Sequence, residues 1–182
     1  MNIERRFGGW RRFRGQEGQS LVEMAVAMPL LLGLAFNIIN WGYVWFMVLA
    51  LSAAPRMGAQ YATQGGAAGI GVTAPAATAV RDLVWENVTN AVKGATTSNV
   101  AVQVCSSSNG LSGATPPIAL CTTYGPSFTF PAPAADPEAP VYVLDRVDVK
   151  YTVTPIIPGR VFSVVLPSNL NFHRQVSMRS LY

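Results

Sequence analysis

The hydrophobic pattern divides the chain into a long apolar run and a shorter-period remainder. From Met24 to Pro55, 32 residues pass without an Asp, Glu, Lys or Arg. As a helix rising about 1.5 Å per residue this run is roughly 48 Å long, more than the hydrocarbon core of a bilayer at about 30 Å. The pattern therefore predicts one membrane-crossing helix with a surplus of about ten residues that tilts, kinks or projects as a stalk. A span of about 20 residues counted from Leu21 ends at Trp41, Tyr43 and Trp45, side chains suited to the far headgroup layer. Arg5, Arg6, Arg11, Arg12 and Arg14 precede the run and only Arg56 follows closely. The positive-inside bias then puts the N-terminus in the cytoplasm and the remainder of the chain across the membrane.

Beyond the run the period changes. Residues 64–77, QGGAAGIGVTAPAA, have the composition of a flexible linker, and their glycines do not have the spacing of a phosphate-binding loop. Thr78 is suited to cap a helix whose apolar residues Val80, Leu83, Val84, Val88, Ala91 and Val92 recur at intervals of three and four, with Gly94 as its stop. Strict alternation follows in Asn99–Cys105, Arg146–Thr154 and Leu170–Met178, and predicts three strands. SSSNGLSGATPP and GPSFTFPAPAADPEAP read as exposed loops. The fold class is α+β: a long N-terminal transmembrane helix continuing into a stalk, then a small exported domain with one amphipathic helix on an antiparallel sheet. The expected divisions are 1–18, 19–63, 64–77 and 78–182.

Composition narrows the function. With 50% hydrophobic and 12% charged residues the chain is too apolar for an ordinary soluble surface. The net charge of +4 owes much to five arginines before Gly18; without that leader 8 basic residues face 7 acidic ones, so no nucleic-acid partner is expected. The single histidine, His173, falls on the alternate face of the last strand as a surface residue, and no nucleophile is clustered with a base, so neither catalysis nor a cofactor is expected. Two thiols and one distant histidine do not make a zinc site. Cys105 and Cys121, even in number and assigned to an oxidising compartment, are expected to form a disulfide; closing a loop of about 15 residues contributes roughly 3 kcal/mol in the chain-entropy model. Asn87-Val88-Thr89 matches a glycosylation acceptor but falls within the amphipathic helix.

Glu23 is the anomaly, a carboxylate at the entrance to the apolar run. A cleaved signal peptide, with Ala50-Leu51-Ser52 as its cut site, requires an apolar core of about 7 to 15 residues, shorter than this one. A plain signal anchor explains the length but not the charge. A cut after Gly18 explains both, because Gln19 would then carry a new α-amino group and Glu23 would be the fifth residue of the mature chain. An ammonium about 4 Å from a carboxylate gains roughly 4 kcal/mol at an effective dielectric of 20, against an insertion penalty near 3 kcal/mol. Pairing of this kind within or between chains would also fix an axial register.

The basic leader, Gly18, Glu23 and the apolar helix resemble the precursors of type IV pilin-like proteins. GQSLVEMAVAMPLLLGLAF, with Val22-Glu23 and Pro29, and LSAAPRMGAQYAT, with Arg56, Gly58 and Tyr61, resemble the TadE-like minor pilins or pseudopilins of the tight-adherence (Tad, or Flp) pilus, as do VKYTVTPIIP and QVSMRS. Gln19 in place of Phe separates the chain from type II secretion pseudopilins, and Met24 after Glu23 separates it from the major Flp pilins. The resemblance implies processing by prepilin peptidase between Gly18 and Gln19, an assembly role for Glu23 and a helix bend at Pro29. It also implies packing against other pilin subunits, contact with membrane lipid and with pilus assembly machinery, and residence in a bacterial inner membrane. The competing expectation is an uncleaved, signal-anchored envelope protein that binds a ligand or surface through its exported loops.

Overall fold

A computed structural model describes residues 16–64, 73–137, 142–153 and 170–181. One helix, α1 (Gln16–Gln64), takes up the whole apolar run and continues through Pro29 and Pro55. A proline costs its helix one backbone hydrogen bond, which apolar neighbours around Pro29 and burial of Pro55 against the domain offset. The leader before Gln16, with its arginines, lies outside the described residues.

The far half of α1 is no free stalk. Asn40, Val44, Met47, Leu51, Ala54, Ala59 and Ala62 are buried, at intervals of three to five that keep them on one side of a 3.6-residue helix. That side meets α2 (Ala77–Ala91), which buries Ala77, Val80, Val84 and Val88. Gly58 marks the closest approach: a Cβ built there would lie 2.5 Å from Cγ2 of Val84 and 3.4 Å from Cγ1 of Val147. Only a residue without a side chain lets the two helices and the sheet meet at that depth.

The sheet is antiparallel throughout, in the order β2-β1-β3-β4. Its strands are β1 (Val100–Cys105), β2 (Cys121–Tyr124), β3 (Tyr142–Val153) and β4 (Leu170–Leu181). Period-two alternation sends Val100, Val102, Val104, Val147, Val149 and Tyr151 into one core with α1 and α2, and Phe172, Val176 and Met178 of β4 pack at its edge.

Several expectations shift. β2 follows a segment read as loop, and β3 begins at Tyr142, four residues before Arg146. Ala76, without a side-chain cap bond, holds the N-cap of α2 in place of Thr78, which falls inside the helix. Beyond the helix Gly94 takes φ +87°, a left-handed conformation that costs glycine little. Of the linker, 65–72 lie outside the described residues, and Ala77 already belongs to α2. Thr154, expected in the second alternating strand, is also outside them.

Candidate functional site

The near half of α1 presents a different surface. Leu21, Val26 and Leu30 leave 73%, 71% and 73% of their area open, while Met47 and Leu51, further along the same helix, leave 0% and 2%. From Gly18 to Ile39 no residue is buried. Burying one large aliphatic side chain contributes about 1.5–3 kcal/mol, so a helix bare on every side belongs in oil or against other helices. It is long and apolar enough to cross a membrane, as in a single-pass membrane protein.

The residues singled out at its start stand in its first turns. Gly18 is exposed, with open space around a hypothetical Cβ. Gln19 and Glu23 are one turn apart, and the Gln19 amide donates to Glu23 Oε1 at 3.4 Å. Glu23 thus projects from the bare surface with an amide as its near neighbour. Pro29 lies on the same bare half, within the continuous helix. Asn37 returns its amide to the Gly33 carbonyl at 2.8 Å, and Asn40 is buried where the docked half begins. The two amides, three residues apart, therefore have different tasks.

Cys105 and Cys121 are joined, and they stand directly opposite one another in the β1–β2 register. The bond ties the edge strand to the sheet and closes the loop containing a short 3-10 turn at Ser107–Asn109.

The sheet face away from the helices holds charges that the sequence did not announce as a group. Asp148, fully buried, accepts from Arg146 Nε at 2.7 Å and meets His173 Nε2 at 2.8 Å. Arg146 also donates to the Ala132 and Pro131 carbonyls at 2.9 and 2.5 Å and to Gln103 at 3.1 Å. Arg179 grips Asp136 through two bonds of 2.7 and 3.1 Å. Together these contacts strap the Pro-rich segment 126–137 across the sheet. His173, expected at the surface, is half-buried, with the Phe130 ring edge-on at 5.8 Å. The missed signal was the i, i+2 spacing of Arg146 and Asp148, which puts both on one face of a strand.

Asp145 differs from these. It is fully buried; Oδ1 accepts from the Ser107 backbone N–H at 3.0 Å, and Oδ2 has no hydrogen-bond partner among the described residues. Burial pushes its carboxyl above the ordinary range, and the Ser107 hydrogen bond, with the Ser180 hydroxyl nearby, pulls it partly back.

Residues 18–60 match the family model described as TadE-like protein. The long helix is similar to that family's matching segment. The matched segment is α1 almost end to end, the bare half and the docked half together. The α+β domain lies beyond it. No curated protein and no solved structure matches the chain.

Proposed function

We propose that this chain is a TadE-like minor pilin or pseudopilin of a Tad/Flp-type pilus, cut after Gly18 by prepilin peptidase and assembled through the bare half of α1. The observation that carries the reading is the division of the helix that matches TadE-like proteins: residues 18–39 include no buried residue and carry one carboxylate, Glu23, while the domain packs along one side of the rest. A surface of this kind serves two hosts in turn, lipid before assembly and neighbouring subunits after it. Its role is structural and needs no cofactor.

Local structure supports the cut. Gly18 lies in the first turn of α1, where backbone N–H groups lack partners within the helix, and glycine itself favours the helical state less than alanine by about 1 kcal/mol. Opening this turn to present Gly18–Gln19 to a peptidase is therefore cheap. Cleavage frees the Gln19 amine four residues before Glu23, replacing a neutral amide neighbour with a charged one. The leader's arginines stay on the cytoplasmic side, and the domain faces the periplasm.

N-terminal sequencing or intact mass of protein from cells with an active prepilin peptidase is the test. A chain beginning at Gln19 is expected; one retaining its leader supports the signal-anchored alternative. Gly18→Leu should abolish maturation, and Glu23→Ala should leave insertion and cleavage intact but remove the chain from purified pili.

A further inference from the structure

The bare half and the docked half meet at Asn40, and the domain lies close beyond that junction. Residues 18–39 cover about 33 Å as a helix, which fills a hydrocarbon core of about 30 Å. Tyr43 is four residues past Ile39, about 6 Å further along the axis. Its hydroxyl donates to the Lys93 carbonyl at 2.8 Å. The end of the domain that carries Lys93 is thereby held at the depth of the headgroup layer, which is itself about 5–7 Å thick on each side.

The topology brings one end of every layer to this level. α2 runs back along α1, from the neighbourhood of Gly58 at Val84 to Lys93 beside Tyr43. β1 starts at Val100, paired with Tyr151 near the end of β3, and β4 begins opposite Val153. The 93–99 turn, KGATTSN, carries Lys93 and no acidic residue, and Lys93, Thr96, Thr97 and Ser98 are all exposed. Its shape is fixed internally: Asn99 accepts from the Thr96 N–H at 2.7 Å and donates to the Gly94 carbonyl at 2.8 Å. On α1 at the same level, Trp41, Trp45 and Phe46 are 48%, 68% and 53% exposed. Aromatic rings, a cation and exposed hydroxyls at one depth are the groups that phospholipid headgroups accept.

The geometry points to a membrane-seated domain: before assembly, the 93–99 turn and the Trp41–Phe46 surface of α1 rest together in the outward-facing phospholipid headgroup layer, with no stalk between membrane and domain. The inference rests on the membrane-spanning reading of residues 18–39. The opposite end, with the disulfide and the 106–120 loop, faces water.

The full chain in phospholipid nanodiscs containing a nickel-chelating lipid tests it, with a spin label on one added cysteine at a time. Leu31→Cys reports the span, Ser98→Cys the turn and Ala114→Cys the distal loop. Expected are oxygen-dominated relaxation at 31, severalfold stronger relaxation by headgroup nickel at 98 than at 114, and free access of a water-soluble relaxant at 114. Equal nickel effects at 98 and 114, with 31 still in oil, overturn the seating and leave the span. Water access at 31 overturns the span, and the seating with it.

Discussion

One helix carries two surfaces, and the contrast between them explains the molecule better than either alone. From Gly18 to Ile39 no side chain of α1 is buried; from Asn40 to Ala62 one side of the helix forms a wall of the core. Both halves are apolar, so hydropathy does not tell them apart. What differs is size and order: the bare half repeats Leu, Val and Met around its whole circumference, whereas the docked half places Ala54, Gly58, Ala59 and Ala62 where strands and a second helix approach. Bulk on every side suits a fluid partner that conforms to any shape. Small residues in register suit a solid one.

The largest break in that comparison is expected from truncations that differ only in location. Leu51→Ala should cost about 2–5 kcal/mol of domain stability, because it opens a cavity in a closed core. Leu30→Ala, on the bare half, should leave the thermal unfolding of the detergent-solubilised chain unchanged. Equal losses would mean that the halves are not separate. Glycine gives the next contrast. Gly58→Ala forces Val84 to move and should destabilise by about 1–3 kcal/mol, whereas Gly42→Ala, with open space around it, should stabilise by up to about 1 kcal/mol. Opposite signs in denaturant midpoints are the expected readout.

Tyr43→Phe sharpens the junction itself. Loss of its bond to Lys93 should cost about 0.5–1.5 kcal/mol and raise amide exchange in the 93–99 turn more than around the disulfide. The smallest expected effect concerns Asp145, far from the bare half. Its raised carboxyl pKa means that the folded state holds the proton more tightly than the unfolded state, so stability falls as pH climbs through and above the ordinary value of 3.8. Asp145→Asn should therefore melt at or above the wild-type temperature at pH 7, with the gap closing in acid below the ordinary carboxylate range. A gap that widens in acid would refute the assignment.

Much of the architecture could be read along the chain because it depends on local periods. The apolar run, the three-and-four spacing from Val80 to Val92 and the alternation through Val100, Val147 and Val149 each have one good way to bury their side chains, and the structure uses it. The pairing of Cys105 with Cys121 followed from even count and compartment. β2 escaped notice because Cys121–Tyr124 is too short to show alternation and is fixed by its neighbour β1. Thr78 looked like a cap because hydroxyl residues favour that position, yet the N-cap is Ala76, two residues earlier, and Ala77 is already buried in α2. At the candidate processing site, Gly18, Gln19 and Glu23 were legible as a spacing, since charge and distance along a helix are sequence properties.

The sequence by itself determined that an apolar helix too long for the bilayer leads into an α+β domain, because hydrophobic burial and strand alternation act over a few residues at a time. Only the tertiary structure decided what the surplus of that helix does. Residues 40–62 become core in place of stalk because α2 and the sheet expose a complementary valine surface that no local rule orients toward them. It likewise gathered Arg146, Asp148 and His173, up to 27 positions apart in the chain, into one clamp, since a buried carboxylate is stable only where its own strand and the next bring it donors.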